Sequence, residues 1–242
     1  MAQRAAEAVV QEFALSTSED HVKNASVLDF GCGTGLCAFH VVPMVAHLVG
    51  VDASEGMLNH LNHKLTTNPS NASIRDKVKT VQHLITYDDP LPESERLQYL
   101  TGPDAGFDMI YSSFVMHHIE DLQGTTNTLA QKLLKKDGWL IVLDFSGFHD
   151  HGHGHHADDE KHGHHHGPGS KPRDASTYYV DADGKPLEFV PHKAGFTNEG
   201  FVEIFKKAGL VDVEAKHSFG MNREWNGKTI WNDVLVVKGR RP

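Results

Sequence analysis

The chain has 242 residues, enough to bury a full core without disulfides and most simply one domain spanning residues 1–242. Its formal net charge of −9 with neutral histidines argues against nucleic acid as a partner, and no apolar stretch approaches the ~20 residues of a membrane span. The two cysteines, Cys32 and Cys37, do not read as a bridged pair and suit a reducing compartment; with no apolar leader at the N-terminus, a cytoplasmic location is expected.

Residues 2–15 have helical composition, with Ala6, Val9, Val10 and Phe13 on one stripe, which predicts a packing helix. The apolar run 26–30 reads as a buried strand. It breaks into glycines at alternate positions, Gly31, Gly33 and Gly35, and residues 36–42 can then be a helix up to Pro43. Strand, glycine turn and helix bring bare backbone and a helix N-terminus against a small ligand. Glycine is needed there for close approach and positive φ. Residues 33–38, G-T-G-L-C-A, fit the G-x-G-x-x-A variant of a dinucleotide fingerprint, so an NAD-dependent oxidoreductase is one reading. Asp29 argues the other way, because a carboxylate two residues before the first glycine repels a pyrophosphate and suits a cation. S-adenosylmethionine (SAM) meets that demand: it has no phosphate and carries a sulfonium and an α-amino group.

The segment 27–36, V-L-D-F-G-C-G-T-G-L, resembles motif I of the class I SAM-dependent methyltransferases of the small-molecule type. The next strand, residues 45–51, ends in Asp52 and continues A-S-E-G-M-L, similar to the second hallmark V-D-x-S-x-x-M-L. An acid ~20 residues past the glycine loop is placed for the ribose hydroxyls; capping the next helix is its competing role. That helix is predicted over 54–64, with Met57, Leu58, Leu61 and Leu65 apolar, followed by a polar loop 66–73 and a third strand over 77–85. Relatives usually end that strand in an acid that holds the adenine amino group. Here the position is Leu84, after His83, and the nearest acids are Asp88 and Asp89, so the contact falls on the Leu84 and Ile85 backbone or on Asp88. Residues 107–121, led in by the turn-rich stretch 101–106, resemble the family segment F-D-x-I-x-S-S-x-x-x-H-H-I-x-D, with strand four over 107–113. A helix over 125–136, closed by Asp137-Gly138 as a C-cap, and a fifth strand over 139–145 complete the resemblance, which covers 27–145. It implies an α/β, Rossmann-like doubly wound seven-stranded sheet, mostly parallel with an antiparallel strand seven between five and six. It also implies SAM as cofactor, held by Asp29, Gly31, Cys32, Gly33, Gly35, Asp52, Ala53, Met57, Leu84, Ile85 and Ser112.

Beyond residue 145 the composition changes. Nine of the nineteen histidines fall between His149 and His166 among glycines and acids, so residues 149–170 are expected to be a disordered insertion without a core. Imidazoles at such density bind divalent transition metals, with His151, His153, His155 and His164 as adventitious ligands, but no four-ligand spacing of a structural zinc site is visible. Residues 167–191 read as a loop. Thr197 caps a predicted helix over 198–208, with Phe201, Ile204 and Phe205 inward and Gly209 ending it. Strands six and seven are predicted over 211–219 and 230–238, joined by a polar connection 222–228.

Methyl transfer from a sulfonium needs orientation and water exclusion above all. A base is needed only for an acceptor protonated at neutral pH, and His117 and His118 are the candidates. His117, Asp144 and His192 are candidate lining of the substrate pocket. The expected function is SAM-dependent methyl transfer to a small-molecule acceptor. A SAM-binding fold without catalysis, or a metal-handling protein using the His-rich loop, stays open beside it. The chain lacks a three-cysteine set, which argues against arsenite. It has no N-P-P-[YF] tetrapeptide after strand four, which argues against the amino-group methyltransferases of nucleic acids and proteins.

Overall fold

The computed structural model describes residues 1–147, 185, 190–225 and 228–242. Seven strands form one sheet in the order β3-β2-β1-β4-β5-β7-β6: β1 Ser26–Phe30, β2 His47–Asp52, β3 Val78–Gln82, β4 Phe107–Ser113, β5 Leu134–Phe145, β6 Val211–Trp225 and β7 Lys228–Arg240. The first five pair parallel, and β7 runs antiparallel between β5 and β6. This is the architecture the resemblance implies. Every residue of β1 is buried, so Val27 and Leu28 serve the cores on opposite faces and the strand does not alternate apolar with exposed polar residues.

One face of the sheet is covered by α1 (Ala2–Ser16), α2 (Glu19–Asn24), α3 (Ala38–Val41) and α4 (Glu55–Thr67), the other by α5 (Glu93–Tyr99), α6 (Leu122–Thr128) and α7 (Asn198–Lys207). In α1 the buried stripe is Ala5, Ala6, Val9, Glu12 and Phe13, so Val10 sits at its margin. Burying Phe13 fully contributes roughly 2–3 kcal/mol. The inward Glu12 is matched by two ammonium groups, Lys216 Nζ at 2.8 Å and Lys238 Nζ at 3.0 Å. Burial alone would raise its carboxyl, but these two cations outweigh that and hold it below the usual range.

Several boundaries differ from expectation. The helix after Cys37 shortens to α3, because Pro43 ends the α-pattern and opens a 3₁₀ turn, Val42–Met44. The helix expected over 125–136 starts earlier, where Asp121 accepts from Gly124 N at 2.8 Å, and continues as a π-turn to Leu133. Asp137-Gly138 is therefore no C-cap: Leu134 already pairs with Phe107 in β5, and Asp137 takes φ +62 inside a bulge before Trp139 meets Met109. The polar connection expected over 222–228 is mostly paired backbone, Asn222 with Trp231 through Trp225 with Lys228. Because β5 pairs with β7 only as far as Val234, this hairpin continues past the carboxyl end of the sheet. The His/Gly-rich segment 149–170 lies outside the described residues.

Candidate active site

In an open α/β sheet, ligands bind outside the carboxyl ends of the strands where the order reverses. Here that point lies between β1 and β4. Gly31 N and Cys32 N both donate to Val51 O, at 2.8 and 3.1 Å, which folds the glycine loop back over β2. Asp52 fixes it from the same strand: Oδ2 accepts from Gly33 N and Oδ1 from Ser54 N, each at 2.8 Å. Ser54 in turn caps α4 by accepting from Met57 N. Asp52 thus orders the loop and the residue that starts α4, but the helix cap expected of it falls on Ser54, and its carboxylate still has lone pairs for further donors.

The loop glycines have different surroundings. Gly31, Gly33 and Gly35 have φ of +71, +53 and +78, a region side chains rarely adopt. A Cβ on Gly31 would fall 2.6 Å from the Val115 methyls and one on Gly35 2.8 Å from Leu61 Cγ, whereas one on Gly33 would meet nothing within 4 Å. Gly33 alone of the three opens its bare Cα to space. Ala53 is exposed beside it, and Met57 and Leu84 are 46% and 70% exposed. His83 N donates to Asp52 O at 3.0 Å, so Leu84 leaves β3 next to Asp52, while Ile85 turns inward and is buried. The loop's Cys32 is also buried, its Sγ against Gly50, and Cys37 lies buried at the start of α3; both thiols are free. Burial pushes the Cys37 thiol up to about 12.

Asp29 lies beneath this loop. It is buried, and Tyr111 Oη donates to its Oδ2 at 2.7 Å across the β1–β4 register. Burial raises its carboxyl to about 7; the Tyr111 hydrogen bond opposes the rise and the charge of Asp52 adds to it. Sequence reasoning missed Tyr111, since only strand pairing reveals it as the partner of Asp29.

At the neighbouring strand ends, side chains replace backbone. Ser112 is fully buried, and its hydroxyl donates to Phe30 O at 3.1 Å; its side chain braces the sheet instead of facing the crevice. Phe114 follows with φ +60, a strained conformation for a bulky residue, held by its N–H on Leu143 O and by the Phe145 ring 5.0 Å away. It too was missed, because nothing in local composition marks it. The 3₁₀ turn Met116–His118 then carries His117 inward and leaves His118 exposed. Asp144, fully buried at the end of β5, is not a pocket wall. Its Oδ1 lies 2.8 Å from His117 Nδ1, and its carboxylate accepts from the N–H groups of His117 (3.1 Å) and Phe145 (2.7 Å). His192 N donates to His117 O, and His192 Nε2 lies 3.0 Å from Ile119 O, so the 190s loop roofs the same turn. Among the described residues no three His, Cys, Asp or Glu side chains gather as a metal site. His151, His153, His155 and His164 lie outside them. No helix among them is long and apolar enough to cross a membrane.

A family described as a methyltransferase domain matches residues 2–215. An uncharacterized methyltransferase of Schizosaccharomyces pombe is 31% identical over 213 residues, covering 84% of this chain and 63% of that protein, so the chain spans less than two thirds of this relative's length. Among solved structures, the YcgJ protein of Bacillus subtilis aligns with a TM-score of 0.55 at 14% identity, over 96% of this chain and 98% of its own. A SAM dependent methyltransferase from Aquifex aeolicus aligns with a TM-score of 0.54 at 16% identity, over 98% and 89%. At such identities the two structures speak for the fold.

Proposed function

This chain belongs to the class I SAM-dependent methyltransferases, and from that membership we propose that it holds SAM in the crevice at the carboxyl ends of β1 and β2 and methylates a small-molecule acceptor. The observation that carries the reading is Gly33: a positive-φ glycine whose missing side chain leaves open space beside a carboxylate. The surroundings fit the cofactor. Asp52 offers lone pairs to ribose hydroxyls, exposed Met57 and Leu84 offer apolar faces to an adenine, and Ala53 leaves the rim low. Asp29 and Asp52 supply the negative charge that a cationic, phosphate-free ligand favours and a pyrophosphate does not, which separates this reading from an NAD-dependent one. Bound SAM supplies a methyl group on a sulfonium: the acceptor's lone pair forms the new bond to carbon, and the carbon–sulfur bond breaks with its electrons passing to sulfur, leaving neutral S-adenosylhomocysteine. The protein's share is to orient the acceptor and exclude water, which the strained Phe114, Phe145 and the His192 roof support at the β4–β5 end, with His117 and His118 as the titratable groups there.

Isothermal titration with S-adenosylhomocysteine tests the proposal. Saturable one-to-one binding is expected, with NAD giving no thermal shift in parallel. Absence of binding at millimolar ligand to a folded sample would overturn it.

A further inference from the structure

His117 and His118 are adjacent in sequence, with ring centroids 4.1 Å apart, yet they stand in different surroundings. His118 is exposed and His117 is 5% exposed, packed beside the Phe145 ring at 5.3 Å. The buried imidazole faces a carboxylate that already accepts two main-chain N–H groups, those of His117 itself and of Phe145. Such a carboxylate is an acceptor on all sides. At 2.8 Å from it, His117 Nδ1 must carry the hydrogen, because two lone pairs would repel at that distance. Which ring nitrogen of a histidine is basic is decided by the bond its other nitrogen makes. With the hydrogen on Nδ1, the lone pair is on Nε2.

We propose that Asp144 is the positioning residue of a proton relay: it holds the proton on His117 Nδ1 so that Nε2 takes the proton from an acceptor, such as a hydroxyl, that keeps it at neutral pH, with His118 outside the relay. The proposal rests on the methyl-transfer reading above and deepens it. An imidazole is matched to such a task because its ordinary titration lies near neutrality. Of the two main-chain hydrogen bonds, that from His117 N ties the carboxylate to the turn it orients and that from Phe145 N holds it on β5.

The test is the tautomer itself, read by long-range ¹H–¹⁵N correlation on the whole chain labelled at its imidazole nitrogens at pH 8. The His117 signals are identified by sequential assignment and checked by their loss in His117→Gln. The expected spectrum shows Nδ1 protonated and Nε2 bare. In Asp144→Asn the preference is expected to shift toward the Nε2-protonated form, while S-adenosylhomocysteine affinity stays within about threefold. Protonated Nε2 in the wild type, or an unchanged His117 tautomer in a folded Asp144→Asn protein, overturns the relay. The wild-type spectrum decides alone if that variant does not fold. Loss of nucleoside binding by the wild type would sink the methyl-transfer reading and leave the tautomer result standing, so the two failures are told apart.

Discussion

The carboxyl ends of β1 and β2 and those of β4 and β5 are neighbours in one sheet but are built on opposite plans. The first is open: bare Cα at Gly33, a carboxylate engaged only by main-chain N–H groups, and exposed Met57 and Leu84. The second is closed: Asp144 and Ser112 are fully buried, His117 nearly so, and Phe114 is held in a strained conformation. The difference matches two tasks. A donor that is the same in every member of a family can be held by backbone and one acid, whereas chemistry on a particular acceptor needs side chains locked by their neighbours.

Asp29 lies between the two edges, and its titration gives the largest effect. A folded-state carboxyl near 7 retains a proton that an unfolded aspartate releases near pH 4. Its contribution to stability is therefore fully present below about pH 4 and is lost as pH rises through about 7, on the order of 4 kcal/mol in all. Calorimetric melting of the empty protein should show this decline, and Asp29→Asn should lack it. In the wild type SAM affinity should rise between pH 6 and 8, since a bound cation favours the ionised form; a flat profile in both measurements would contradict the burial of this group.

Replacing Asp52 with alanine should weaken S-adenosylhomocysteine binding by about 100-fold, roughly 3 kcal/mol for charge-assisted hydrogen bonds. His117→Gln should change it by less than about threefold. Equal losses in the two titrations would erase the division between the edges. A finer cut compares two glycines. Gly33 and Gly209 both have positive φ and open space around the missing Cβ, so alanine at either should cost about 1–2 kcal/mol of stability. Only Gly33→Ala should also reduce nucleoside affinity, by tenfold or more. The smallest effect is expected at Thr197, whose Oγ1 accepts from Gly200 N at 2.9 Å to cap α7. Thr197→Ala should cost about 1 kcal/mol in denaturant unfolding with nucleoside binding unchanged.

The open edge was legible in the sequence because backbone demands leave residue-type signatures, alternate glycines and an acid at a strand end, although the helix cap proved to be Ser54 and not that acid. The closed edge was legible only in part. His117, Asp144 and His192 stood out by type, but their mutual bonds span 27 and 73–75 positions of chain, which no local pattern encodes. Ser112, which the resemblance gave to the cofactor, instead places its hydroxyl on Phe30 O of the paired strand. Asp137-Gly138 shows the same limit in the fold. Positive φ suits a helix C-cap and a β-bulge equally, and pairing of Leu134 with Phe107 decides between them. The α5 helix went unread although Pro92 and two acids, Glu93 and Glu95, mark its first turn; at seven residues it has too little periodicity to declare itself.

The most direct measurement is a crystal structure of the full chain with S-adenosylhomocysteine. Both ribose hydroxyls should lie within about 2.7–3.0 Å of the Asp52 carboxylate, with the nucleoside passing over Gly33. A nucleoside bound elsewhere, or one that leaves Asp52 touching only Gly33 and Ser54, would contradict the assignment of the open edge to the donor.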